Sequence, residues 1–259
     1  MYEISLIEIE RWVGAFLLPF FRVASFLMAM PVIGTRIVSM KIRLGAAVAI
    51  TLVILPVLQM PPVLVGIELN TMLLVAQQVL IGSALGFAMQ VFFQIFTVGG
   101  QLISNQMGLG FASMTDPANG VSVVVLGQFY LMMATLMFLA MDGHLVMITV
   151  LAESFDIMPV TELRLDAMKM SQLALSGSWM FAGALLMSLP IVVALLVVNL
   201  SFGIMVKAAP QLNIFAIGFP FTMMLGLFFT WMSLSGFLGQ FEILAADALE
   251  RLAGLMGGA

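Results

Sequence analysis

Between Lys169 and Lys207 the chain carries no formal charge. As a single helix that interval would measure roughly 55 Å at about 1.5 Å per residue, whereas the hydrocarbon core of a bilayer is about 30 Å thick. Two crossings joined by a turn would need over about 40 residues, so the interval suits neither one crossing nor two. Further charge-free intervals run from Glu68 to Asp116, from Asp116 to Asp142 and from Lys207 to Glu242. Only 8% of the 259 residues are charged and 63% are hydrophobic, against about a quarter charged in soluble domains; the mean hydropathy is +1.18. The fold class these runs predict is all-α, a membrane-protein subunit of long, kinked helical hairpins. Tilt and a kink at Pro190 absorb part of the excess length. The simpler expectation is that other protein chains cover much of the apolar surface.

Along the chain, an apolar run from Trp12 to Ile33 leads to a basic turn with Arg36, Lys41 and Arg43, then to a second run from Leu44 to about Val65. The positive-inside rule puts that turn on the cytoplasmic side. Pro56, Pro61 and Pro62 break the second run, and Asn70 is a good N-cap for a long helix. After a glycine-rich stretch, an apolar helix from about Val121 to Met141 ends at Asp142-Gly143-His144. The segment ESFDIMPVTELRLDAMK reads as a solvated connector. Ser171–Val206 and Phe215–Phe241 form two long apolar segments joined by KAAPQLN, and the last residues place Leu244, Ala248, Leu252 and Leu255 on one helical face. The first residues carry Glu3, Glu8 and Glu10 before any basic residue, the reverse of a secretory leader.

The same reading removes several chemistries. Without cysteine there are no disulfides, thiolate metal sites or cysteine nucleophiles. No HExxH or GxSxG is present, and Gly108-Leu109-Gly110 lacks the third glycine and the preceding strand of a dinucleotide fingerprint. A net charge of −4 with no basic patch argues against nucleic acid. Asp142 and the single histidine, His144, read as turn residues.

Three features stand out instead. Ser83, Gln90, Gln94, Thr97, Gln101 and Asn105 fall within roughly 80° of one another at about 100° per residue. That polar, uncharged stripe is either glue between helices or the wall of a wet channel. Gly82 and Gly86 form a small-xxx-small pair. Arg22 sits in the middle of the first apolar run, where facing lipid would cost about 3 kcal/mol, so it must face protein or water. A structural partner such as a carboxylate is the expectation, ahead of a role in ion coupling.

The stripe leads into GQLISNQMGLGFASMTDPANG, residues 100–120. Glycine-rich, irregular backbone at membrane depth is tolerated only when buried in protein or lining a cavity. Together with MDGH and KAAPQLNIFAIGFPF, this stretch resembles the FliR family of flagellar biosynthetic proteins, inner-membrane subunits of the type III export gate, over essentially the whole chain. The resemblance implies a subunit in a helical hetero-oligomeric cone, partly raised above the bilayer plane, beside FliP and FliQ and with FlhB. It implies residues 1–170 as a FliP-like part and 171–259 as a FliQ-like hairpin turning at Lys207, Pro210, Gln211 and Asn213. It also implies a central loop of Met107, Gly108, Gly110, Phe111, Met114, Asp116 and Pro117 that plugs a path for unfolded flagellar proteins. Phe111 takes an aromatic plug position, and Met114 stands where some members carry a second aromatic. The implied location is the bacterial inner membrane at the flagellar basal body, in contact with lipid, with no cofactor and no enzymatic activity.

Two readings compete with that gate. One is a secondary transporter using Arg22 and the polar stripe, although the helix before the loop lacks a carboxylate for ion coupling. The other is an assembly scaffold with no gating role.

Overall fold

The structure is a computed structural model that describes residues 6–34, 38–58, 69–109, 125–160, 167–208 and 214–257. Those residues form seven α-helices and no strand: α1 Leu6–Ala29, α2 Met40–Ile54, α3 Leu69–Gln106, α4 Val125–Ala140, α5 Gly143–Ile157, α6 Ala167–Ala208 and α7 Ile214–Met256. A short 3₁₀ turn, Leu55–Val57, ends the second apolar run at Pro56. The stretch between Lys169 and Lys207 is a single helix of 42 residues that continues through Pro190. Segments of α3, α6 and α7 are long and apolar enough to cross a membrane, and α4 and α5 would make a fourth span if the broken pair is counted as one.

The chain packs as two compact units that interleave in sequence. The first comprises Met1–Val91, Leu139–Ser176 and Ala248–Ala259. Its interior holds Leu18, Val23, Phe26 and Leu27 of α1, Ile81 and Leu85 of α3, and Met147, Leu151 and Phe155 of α5. The small-xxx-small pair brings α1 and α3 into backbone contact. A Cβ on Gly82 would lie 2.2 Å from the carbonyl oxygen of Arg22, and one on Gly86 would lie 2.5 Å from the Ala29 Cβ.

The second unit comprises Phe92–Phe138 and Gly177–Asp247. An aromatic cluster fills it: Phe92 packs edge-on to Phe93 and Phe96 with centroids 5.1 and 5.4 Å apart, and Phe96 meets Phe237 and Phe241 at 5.7 Å. Edge-to-face pairs of this kind add about 0.5–1.5 kcal/mol each beyond area burial. Trp179 of α6 donates its indole N–H to the Asp247 carboxylate of α7, tying the hairpin at one end. Many side chains of this hairpin remain outside the interior, among them Leu186, Leu196 and Leu200 on α6 and Met224, Trp231 and Ile243 on α7. A contiguous apolar exposure of that extent belongs against lipid or another chain.

One expectation is corrected. The stretch beginning at Glu153 is not wholly a solvated connector, because Glu153–Ile157 form the last turn of α5 with Ser154 and Phe155 buried. The turn is amphipathic: Glu153 and Asp156 are exposed while the other face packs on α1. The turn at Asp142 is as read from the sequence. Its φ of 55° is left-handed, a conformation that aspartate tolerates better than most residues.

Candidate functional site

The root of the glycine-rich loop is built by the end of α3. Gly108, at φ +82°, reverses the chain; its N–H donates to the Asn105 carbonyl at 3.0 Å, and the Leu109 N–H donates to the Ser104 carbonyl at 3.1 Å. This pair of bonds is a Schellman stop, in which a left-handed residue, usually glycine, lets the last carbonyls of a helix be satisfied. A side chain at Gly108 would also strike the Phe219 ring, 2.8 Å from the added Cβ.

The hairpin helices satisfy the remaining carbonyls of that helix end. Asn199 of α6 donates its side-chain N–H to the Gln106 carbonyl at 3.1 Å. The Thr222 hydroxyl of α7 lies 3.3 Å from the Met107 carbonyl and 3.0 Å from that of Phe219. Both are polar residues within long apolar helices, and each does what a helix terminus requires. The start of α4 lies beside the last turns of α3. A Cβ on Gly100 of α3 would lie 2.6 Å from the Gly127 Cα and 2.7 Å from the Leu126 carbonyl oxygen of α4, so the two helices touch backbone to backbone.

Of the loop residues read from the sequence, Met107 and Gly108 are described, while Gly110, Phe111, Met114, Asp116 and Pro117 lie outside the described residues. Met107 differs from the expectation of a side chain presented to a seal. It is 1% exposed, with its thioether packed on Gly226, whose missing Cβ leaves the space it occupies. In this conformation it packs the end of α3 against α7.

The polar stripe lies along a face of α3 that the chain itself leaves only partly covered. Gln90 and Asn105 are exposed, and Ser83, Gln94, Thr97 and Gln101 are half-buried. Ser83 bonds back to the Leu80 carbonyl of its own helix at 3.0 Å. On its other faces Leu85, Val91, Phe92, Phe93 and Ile95 are buried. Lys207 is exposed in the last turn of α6, where a cation complements the helix dipole; Pro210, Gln211 and Asn213 lie outside the described residues.

Arg22 is fully buried in the first unit, and its partners are neutral oxygens rather than the expected carboxylate. Its Nε donates to Gln78 Oε1 at 2.7 Å. One terminal nitrogen donates to the Ser154 carbonyl at 2.8 Å, and the other to the Met158 carbonyl at 2.8 Å. Its guanidinium carbon sits 4.2 Å from the centroid of the Phe155 ring. The carbonyls belong to the C-terminal end of α5, which carries partial negative charge. Arg22 is thus a helix cap supplied from another helix. The sequence reading missed Gln78, Ser154, Asn199 and Thr222; the available signal was polarity inside apolar helices, since a buried polar group must find a partner.

Long apolar helices, a half-covered uncharged stripe on α3 and a glycine-rich stretch whose first turn is clamped by α6 and α7 define a helical membrane protein. The chain belongs to the family of bacterial export proteins, family 1, whose profile matches residues 13–248. Among curated relatives it is similar to the flagellar biosynthetic protein FliR of Escherichia coli (strain K12), 37% identical over 227 residues that cover 88% of this chain and 87% of the relative. The protein of the same name from Pectobacterium carotovorum subsp. carotovorum is 37% identical over 220 residues, 85% and 84% of the two chains. That of Bacillus subtilis (strain 168) is 32% identical over 209 residues, 80% of each.

Proposed function

We propose that this chain is a non-enzymatic subunit of a flagellar protein export gate in the bacterial inner membrane, at the basal body. It forms part of the conduit for unfolded flagellar proteins, and its loop closes that conduit at rest. The observation that carries the reading is the construction of the loop root. A glycine-rich, nearly uncharged segment lies between α3 and α4, which are in backbone contact at Gly100 and Gly127, and its first turn is clamped by Asn199 and Thr222. Family membership and the flagellar relatives support the same reading.

In this mechanism Met107 and Gly108 fix where the loop begins, and Phe111 and Met114 supply the apolar seal. Gly110 lets the backbone turn closely, and Asp116-Pro117 ends the loop as a turn former. Each apolar side chain contributes about 1.5–3 kcal/mol when fully buried, so an incoming chain whose own side chains replace those contacts displaces the seal at small net cost. Gln90, Gln94, Gln101 and Asn105 give a wet wall or a seam to the next subunit. Residues 1–170 act as the FliP-like part and 171–259 as the FliQ-like hairpin, with FliP, FliQ and FlhB as partners covering the exposed apolar surface.

The test is the native mass and subunit composition of the tagged protein extracted gently from its host membranes. Recovery with two other small hydrophobic proteins is expected. A monomer or homo-oligomer that persists after mild crosslinking would favour a solute transporter and refute the gate.

A further inference from the structure

The last turn of α3, the final turns of α6 and the first turns of α7 enclose an open cleft within the second unit, at the loop root. Asn105 and Gln106 stand at one side; Phe202 and Phe219 supply aromatic walls, and Gly203 forms part of the α6 side. Among the described residues no charged side chain lines it. Asn105 is exposed and Gln106 half-buried, and among the described residues their side-chain amides make no hydrogen bond. A Cβ built on Gly203 meets nothing within 4 Å, so that part of the wall faces open space.

Two unengaged primary amides beside two phenyl rings match one ligand chemistry well. Each peptide group carries one donor and one acceptor, and each side-chain amide offers both. Such a lining grips backbone whatever the sequence, and the rings accept an apolar side chain. The described lining offers no cation to hold a phosphate or carboxylate, which disfavours anionic solutes and nucleic acid. We infer that this cleft is a docking subsite for an extended polypeptide segment in transit, with Asn105 and Gln106 bonding its backbone and Phe202 and Phe219 seating one of its apolar side chains. The inference rests on the conduit reading and assigns that conduit a holding point beside the loop root.

The test uses the assembled export apparatus in host membranes, with an export substrate stalled by fusion to a tightly folded domain. A photo-reactive benzoylphenylalanine replaces Gly203 in one strain and Phe111 in another. Adducts to the stalled substrate from both positions are expected, absent when no substrate is expressed. An adduct from position 111 alone overturns the cleft and leaves the conduit standing, whereas no substrate adduct from either position overturns both. An adduct from position 203 to another subunit or to lipid, unchanged by substrate, also overturns the cleft. Independently, Gly203→Leu should fill the cleft without breaking α6, because leucine is the better helix former and meets open space. Substrate export should then fall several-fold at unchanged native mass of the complex. Wild-type export by Gly203→Leu would refute the subsite.

Discussion

Arg22 gives the sharpest quantitative test of the packing. Replacing it with methionine removes the charge and leaves the Met158 carbonyl and Gln78 Oε1 without their donor, while the Ser154 carbonyl keeps the Met158 N–H at 3.0 Å. Two acceptors, one buried and one part-buried, orphaned at about 1–3 kcal/mol each are partly offset by relief of the guanidinium's desolvation, several kcal/mol per ion. A net loss of about 1–3 kcal/mol is expected. Lysine keeps the charge, but its donors radiate from one nitrogen and cannot span Gln78 on α3 and two carbonyls at the end of α5. That variant retains the desolvation penalty with fewer bonds, and the expected loss is about 3–5 kcal/mol. At about 2–4 °C per kcal/mol for a chain of this size, Arg22→Lys should melt roughly 6–20 °C lower. The assay is the fraction of detergent-solubilised protein that stays monodisperse after heating, read by the fluorescence of a fused tag. Stability of Arg22→Lys equal to wild type, or above that of Arg22→Met, would refute the cap and point to a charge role that any cation fulfils.

Other substitutions probe the loop root. Gly108→Ala must place a side chain in a left-handed conformation, at about 1–2 kcal/mol, and push the Phe219 ring aside; limited proteolysis should cut the loop region faster than in wild type. Gly100→Ala meets the backbone of Gly127 and Leu126, which cannot yield like a side-chain tip, so assembly and motility should be lost, while Gly177→Ala, with nothing within 4 Å, should retain both. Asn199→Leu strips the Gln106 carbonyl of its side-chain donor and should lower stability by about 1–3 kcal/mol, measured by the same heating assay.

Much of the fold was legible because hydrophobic periodicity and charge-free length are properties of the chain itself. The long helix between Lys169 and Lys207, the turn at Asp142 and the close approach at Gly82 and Gly86 all follow from local sequence. The partners of Arg22 were not legible, since nothing in α1 says that the end of α5 folds against it. A buried arginine suggests a carboxylate, yet a helix C-terminus offers carbonyls with the same sign of charge. Met107 shows the same limit: its place in the loop suggested a seal, but a glycine more than a hundred residues away makes the socket that holds it. Asn199 and Thr222 could have been flagged as lone polar groups in apolar helices, although their targets on α3 could not.

The central claim is that the loop closes a conduit, and ion leakage tests it most directly. Phe111→Gly combined with Met114→Gly, in the assembled apparatus of intact cells, should raise membrane conductance or slow growth in elevated salt, at unchanged abundance and native mass of the complex. An unaltered membrane with the doubly substituted complex fully assembled would contradict the account and leave the chain a scaffold without a gate.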